Sequence, residues 1–345
     1  MPIFKKSTDE PFFIAEVGQN HNGNLELALE FIKVFAHEGA DAIKFQTRNN
    51  KILFDKEAYD APYVSENAYA KTYGEHREKL EIKPDWLPLL KDECDACGVK
   101  FMSTPFDEPS LELLTQNSVQ ILKVASFDIG NLPFLNRIGE TKVPVVMSVG
   151  GGKAEQIRLS VETICRHHQD IAILHCVSEY PCEYNRLGLN NIGILEELYP
   201  NLVIGSSDHF NGILSGPIAY LKGARVFEKH VTLNRAWRGT DHSFALEREG
   251  FRKFVRDVKR VRYMLEPKPD ADLGNEKVFS KLGKSISALV DIKAGEKITL
   301  DNISGRIFKT QFVPVRDSHK FLGKHVSRDI KRGGQILHED LQDSE

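Results

Sequence analysis

A chain of 345 residues with 41% hydrophobic side chains can bury a large core, and suits two domains or one barrel-sized domain with a small companion. Its 46 basic and 49 acidic residues leave a net charge of -3, which argues against a nucleic-acid surface. No apolar run is long enough to span a membrane and the N-terminal MPIFKKSTDEPFF lacks the apolar core of a signal peptide, so a cytoplasmic protein is expected.

The first apolar run, FFIAEV at 12–17, leads into a polar loop at 18–24 and then LELALEFIKVFAHEGA, where Leu25, Leu29, Ile32 and Ala36 recur at helical spacing. A second strand follows at 41–46, DAIKFQ, with Lys44 and Gln46 at its far end. Residues 47–83 break this rhythm. They are polar, carry Tyr59, Tyr63, Tyr69 and Tyr73, and are long enough to be a functional excursion.

Beyond it the unit repeats. A helix near 85–97 precedes VKFMST; PSLELLTQ leads to VQILKVAS, LPFLNRIGE to PVVMSVG and AEQIRLSVETICRH to DIAILHCV. NIGILEELY then leads to LVIGSSD, NGILSGPIAYLKG to RVFEKHV, and EGFRKFVRDVKRVRYML closes the series. Strict strand–helix alternation predicts a (β/α)8 barrel, a TIM barrel, with an open doubly wound sheet as the alternative. Cys94 and Cys97 form a CxxC inside a helical segment without a second pair at zinc spacing, so reduced cysteines are expected.

In such a barrel the chemistry gathers at the C-terminal strand ends. Those ends supply Glu16, Asn20 and His21; Lys44 and Gln46; Ser103 and Thr104; Lys123, Ser126 and Asp128; Ser148. The later strands add Cys176, Ser178 and Tyr180; Ser207, Asp208 and His209; and Glu228, Lys229 and His230. His209 and His230 end neighbouring strands, and two neutral imidazoles with an open coordination sphere suit a divalent metal. Two lysines with several hydroxyls make an anion pocket. Glu16, Asp128 and Asp241 are left to accept sugar hydroxyls or move protons.

After EPKPDADLGNEK, which reads as a linker, the pattern changes to short apolar pieces. IKAGEKITLDNI at 292–303 matches IKRGGQILHEDL at 330–341 at an offset of 38, so one small turn-rich unit is used twice. The expected domains are therefore 1–266, a linker at 267–282, and 283–345.

The ordered pieces IAEVGQNHNGN, GADAIKFQT, KTYGEHREKLE, FMSTPFD, LKVASFD, HCVSEYP, IGSSDH and EKHVTLNRAWRGTDHSFALE resemble the sialic acid (N-acetylneuraminate) synthase family along essentially the whole chain. The tail resembles that family's C-terminal antifreeze-like (SAF) domain. The resemblance implies condensation of phosphoenolpyruvate with N-acetylmannosamine or a close N-acyl hexosamine, in a cytoplasmic, domain-swapped homodimer. By resemblance, His209 and His230 hold a divalent metal, Mn2+ or Mg2+; Lys123, Ser126, Ser178 and Ser207 hold phosphoenolpyruvate; Gln46, Tyr180 and Asp241 contact the sugar. Lys44 belongs to the same substrate pocket, Asp128 is the first candidate for the base and Glu16 the next.

Arg306, from the partner's tail, would reach the acyl group. Ala125-Ser126-Phe127-Asp128 stands where many members have Gly-Ser-Gly and an acid, and Ser178 where some carry Asn. KTYGEHREKLE favours the N-acetylneuraminate-like branch over the pseudaminic branch, and pseudaminic or legionaminic acid synthesis is the alternative function. An octulosonate phosphate synthase and a non-catalytic sugar-binding protein on the same fold are the remaining alternatives.

Overall fold

The structure, a computed structural model, describes residues 2–6 and 9–342. The eight apolar runs form strands β1 (Phe12–Gly18), β2 (Ala42–Thr47), β3 (Lys100–Pro105), β4 (Ile121–Val124), β5 (Val145–Ser148), β6 (Ile171–Cys176), β7 (Val203–Asp208) and β8 (Val226–His230). They pair in parallel in chain order, and β8 closes on β1. Strands buried on both faces need no alternation of polar and apolar residues, which is why they read as continuous apolar runs.

Helices cover the outside, and local chemistry sets their ends. Asn24 caps the helix Leu25–His37 by accepting from the Leu27 amide at 3.0 Å, and Ala28, Phe31, Ile32 and Phe35 form its buried stripe. Asp107 caps Glu108–Gln116 through the Ser110 amide at 2.8 Å. The last barrel helix, Arg248–Leu265, buries Phe251, Phe254, Val255, Val258 and Val261 at helical spacing. Each such side chain contributes about 1.5–3 kcal/mol through removal from water.

Side chains two apart on a strand share a face, so the barrel interior is built in layers. The lower layer is apolar: Ile14, Ala42, Met102, Ile121, Val146, Leu174 and Val226 pack with Phe4. Two residues further along the same strands come Glu16, Lys44, Thr104, Lys123, Ser148, Cys176 and Glu228. A sealed floor thus carries a charged layer. Intervening residues such as Phe13, Ala15, Ile43, Phe45 and Phe227 face the helices.

Residues 47–83 are ordered, with helices Asn50–Leu53, Lys56–Asp60 and Tyr73–Leu80. Thr72 caps the last of these through the Glu75 amide at 3.3 Å. The tyrosines staple the segment: the Tyr63 and Tyr73 rings lie 5.3 Å apart, and a Cβ on Gly74 would stand 2.3 Å from the Tyr59 ring.

The chain divides into two compact units, 1–264 and 265–345. Residues 267–282, expected as a bare linker, carry a 3-10 turn (Asp270–Asp272) and a helix (Lys277–Leu282). In the second unit the repeated segments pair with each other. Ile292 and Ile330 exchange backbone hydrogen bonds of 2.8 Å, and Ile298 and Ile336 share one core. Asp291 accepts from the Arg332 amide and Asp329 from the Ala294 amide, so the pairing is reciprocal down to its turns.

Gly205 marks the tightest point of the barrel interior on β7. A Cβ there would lie 2.2 Å from the Val226 carbonyl oxygen and 2.5 Å from Leu174. Gly205→Ala is expected to cost about 2 kcal/mol or more by overpacking, read as a lower melting temperature; an unchanged midpoint would show that the two strands can part without cost.

Candidate active site

The charged layer opens upward into a cavity of about 570 Å³ at the C-terminal ends of the strands. Of the residues expected to act, Glu16, Lys44, Gln46, Lys123, Ser126, Tyr180, Ser207, His209, His230 and Asp241 all line it.

Four buried charges form its base. Lys44 Nζ lies 2.8 Å from Glu16 Oε2 and 3.7 Å from Glu228 Oε1; Lys123 Nζ is also 3.7 Å from that Glu228 oxygen. Ser207 donates to the same oxygen at 3.0 Å. Burial alone would push the Glu228 carboxyl up, but Lys123 and Lys44 outweigh it and hold it at about 2. Glu16 goes the other way: burial raises it more than Lys44 lowers it, and the charge of Glu228 adds to the rise. One carboxyl therefore stays ionised while its neighbour can keep a proton, an arrangement suited to proton transfer. Burial also lowers Lys123, against the pull of Glu228.

The two imidazoles meet beside this base. Their ring centroids are 5.3 Å apart, and the Tyr180 ring lies 4.0 Å from His209. His209 Nδ1 donates to the Val177 carbonyl at 2.7 Å, which leaves the lone pair on Nε2. His230 Nδ1 is buried with no hydrogen-bond partner and has Asp241 Oδ2 at 3.8 Å. Burial lowers His230, favouring the neutral ring that a metal ligand must be. Two nitrogen donors of this kind fit a divalent cation. Among the described residues no group of three or more His, Cys, Asp or Glu gathers in metal-holding geometry.

Hydroxyls line the same cavity. Ser126 Oγ accepts from the Gly150 amide at 3.0 Å, leaving its own proton free. Gly150 is where Ser126 and Ser178 converge: a Cβ there would stand 2.9 Å and 2.8 Å from their Oγ atoms. Ser178 itself does not line the cavity, and Ser207 has given its proton to Glu228. Ser148 Oγ is buried without a partner in the cavity wall, and Lys44 Nζ donates to Thr104 Oγ1 at 3.3 Å.

Asp128 is not brought in. The chain turns into a 3-10 segment, Ser126–Asp128, just past β4, and this spends Ser126 on the cavity and sends Asp128 to Asn131, whose Nδ2 donates to it at 3.0 Å. Glu16 is the expected carboxylate that reaches the centre. Arg306 lies exposed on the second unit, where its Nη1 donates to the Gly333 carbonyl at 3.2 Å.

Thr104, Ser148 and Glu228 stand at strand ends already marked as polar in the sequence, and counting in twos from Glu16, Lys44 and Lys123 places them in the same layer. Arg48, Arg77 and Gln19 also line the cavity, and Arg77 and Gln19 lie outside the strand pattern. Arg48 continues the parity of Lys44 and Gln46 beyond β2. Arg77 comes from the Tyr73–Leu80 helix, inside KTYGEHREKLE.

The NeuB family profile matches residues 31–269, well over half of the chain. The N-acetylneuraminate-9-phosphate synthase of Mus musculus is 32% identical over 332 residues, covering 96% of this chain and 92% of its own. The N,N'-diacetyllegionaminic acid synthase of Legionella pneumophila is 30% identical (96% and 94% covered), and the pseudaminic acid synthase of Campylobacter jejuni 31% (99% and 100%). The crystal structure of N-acetylneuraminic acid synthetase from Leptospira borgpetersenii, in complex with citrate, superposes with a TM-score of 0.68 at 31% identity, over 79% of this chain and 92% of that one.

Glu228→Gln leaves two buried lysines short of their shared counter-charge and is expected to cost about 3 kcal/mol, read by urea denaturation at pH 7. Glu228 has a folded value of about 2 against an ordinary 4.5, so its contribution is fully present above pH 4.5 and is lost as pH falls toward 2. The gap between wild type and variant should stay constant from pH 7 to 5 and narrow below 4.5. A gap that widens on acidification would contradict the pairing.

Proposed function

The chain belongs to the NeuB family of nonulosonic acid synthases, which are transferases, and we propose that it condenses phosphoenolpyruvate with an N-acyl hexosamine, releasing inorganic phosphate. What carries this reading is a single cavity lined by two convergent imidazoles, by lysines and hydroxyls, and by the buried carboxyl of Glu16.

Phosphoenolpyruvate, an anion at both ends, suits Lys123, Ser126 and Ser148, with Ser178 closing over Gly150. Gln46, Tyr180 and Asp241 face the acceptor sugar. C3 of the enol phosphate bonds to the aldehyde carbon of the open-chain sugar while water adds to C2. Glu16 takes a proton from that water and returns it to the sugar oxygen, with Lys44 and Glu228 holding its charge in balance. The tetrahedral carbon then breaks its bond to the bridging oxygen, leaving a keto group, and the hydroxyl proton departs with phosphate. His209 and His230 would hold Mn2+ or Mg2+, which when bound polarises the aldehyde and acidifies water.

KTYGEHREKLE favours an N-acetylmannosamine-type acceptor, giving N-acetylneuraminate, over the pseudaminic precursor. The reading includes a homodimer in which the antifreeze-like second unit of one copy offers Arg306 to the acyl group bound by the other.

Phosphate release from phosphoenolpyruvate is expected only in the presence of an N-acyl hexosamine, and an 18O label in the bridging position should appear in the phosphate. Excess chelator or His209→Ala should abolish turnover without unfolding the protein; full activity in chelator would remove the metal. Deleting 283–345 is expected to leave a folded barrel with almost no turnover, and a fully active truncation would end the case for a trans-acting Arg306.

A further inference from the structure

Two buried charged residues beside the imidazoles have no part in the chemistry above. Asp208 and Lys229 immediately precede His209 and His230, and they are the last partners in the paired register of β7 and β8. On each strand the inward side runs on to the imidazole: Gly205, Ser207 and His209 on one, Val226, Glu228 and His230 on the other. Asp208 and Lys229 therefore point the opposite way, toward the helices. Both imidazoles stand one residue past the last rung, where the backbone ladder no longer ties β7 to β8.

Each imidazole is anchored away from the other. The His209 carbonyl accepts from the Cys182 amide at 3.1 Å and its Nδ1 donates to the Val177 carbonyl at 2.7 Å, both in the segment that follows β6. His230 pairs with Glu16 on β1, and its carbonyl accepts from the Leu246 amide at 2.8 Å. Lys229 bridges the gap. Its Nζ lies 2.6 Å from Asp208 Oδ2 and donates to the Phe210 carbonyl at 2.5 Å. Asp208 Oδ1 in turn accepts from the Phe210 amide at 2.8 Å, and Ser215 Oγ donates to Oδ2. Both peptide groups of the residue after His209 are thus tied to the side chains that precede the two imidazoles.

Cohesion of two strands does not need such a pair. The side chains are 1% and 5% exposed, and aliphatic residues in their place would often be as stable. Among the described residues this is the one ion pair that joins neighbouring barrel strands on the side facing the helices. What charge adds is direction: a charge-assisted hydrogen bond fixes where the Phe210 carbonyl lies, which apolar contact would not.

We propose that Asp208 and Lys229 are positioning residues for the imidazole pair: their ion pair fixes the turn after β7 against the end of β8, and so sets the separation and angle at which His209 and His230 offer nitrogen to a divalent cation. The rings are 5.3 Å apart between centroids and inclined at 58°. Metal–nitrogen bonds tolerate only about 0.2 Å of error, so a small shift of one turn against the other would take one nitrogen out of reach of an ion held by its neighbour. Neither residue touches the ion or a substrate; both act through the backbone that carries the rings. The inference rests on the metal reading of His209 and His230 and adds to it what holds the two in register.

The test reads Mn2+ binding to the full chain by loss of the free-ion electron paramagnetic resonance signal, which requires no turnover. The double variant Asp208→Asn/Lys229→Met keeps the side-chain lengths and leaves no unpaired buried charge. It is expected to stay folded by circular dichroism and to bind Mn2+ roughly 10- to 100-fold more weakly than the wild type, the usual cost of losing a group that orients a metal ligand. In steady state the Mn2+ concentration for half-maximal phosphate release should rise by a similar factor, while kcat at saturating Mn2+ is largely kept. Asp208→Asn alone should weaken Mn2+ in the same direction, and it carries the comparison if the double variant does not fold. A folded variant with unchanged Mn2+ affinity would overturn the proposal even if its melting temperature fell, since the pair would then only tie two strands together. Wild-type protein that binds Mn2+ no better than His209→Ala would remove the metal reading itself, and this inference with it.

Discussion

The site hangs on a buried exchange of charge in the second layer of the barrel: Lys44 between Glu16 and Glu228, and Glu228 between Lys44 and Lys123. Two ammonium and two carboxylate groups out of water are expensive, and well-packed aliphatic residues in their place would often be as stable or more so. The floor beneath them is made of such residues, so the barrel does close that way when it needs only to be stable. The charges are therefore best understood by what they do to one another. With both lysines on its side, Glu228 stays ionised; with Glu228 nearby, Glu16 is pushed the other way and becomes the group on which a proton can rest. A proton-moving carboxyl has been made from an ordinary one by arranging its neighbours.

Strand parity links this layer to the fold. A closed parallel barrel fixes which side chains point inward, and the shift from apolar to polar two residues further on is written in the strands themselves: Ile14 then Glu16, Ala42 then Lys44, Ile121 then Lys123, Val226 then Glu228. That is why so much was legible in advance. The alternation of elements gave the barrel, and the polar strand ends gave the two imidazoles, both lysines and most of the wall. Asp208 and Lys229 show the limit of reading polarity without parity. They too are polar residues at the ends of β7 and β8, but they sit one step out of phase and pair with each other at 2.6 Å, away from the cavity.

What the sequence concealed lies where regular geometry ends. Asp128 is only two residues from Ser126, but a short 3-10 turn rather than a strand connects them, and the parity that would have carried both inward is broken. Ser207 is where it was expected, yet the use of its proton depends on Glu228, a partner from the neighbouring strand. Arg77 reaches the cavity because the excursion folds back over the mouth, held by Gly74 against Tyr59 and by Glu81 against Arg48. Contacts of this kind join distant positions with no repeating pattern, and only the packed structure reveals them.

These two sources of side chains divide the labour of the site. Strands supply the buried charges of the site, held in place by the barrel register. The excursion supplies groups farther from the reacting carbons, on helices of four to eight residues whose sequence can change without disturbing the barrel. Relatives that make different nine-carbon acids at similar identity to this chain are what such a division predicts: one set of reacting groups, with the acceptor chosen by whatever the second strand's loop brings to the mouth. On that account Gln46 is the joint between the two. It stands on the strand, bonds Glu16 below and Arg48 above, and so ties the excursion to the buried charges of the barrel.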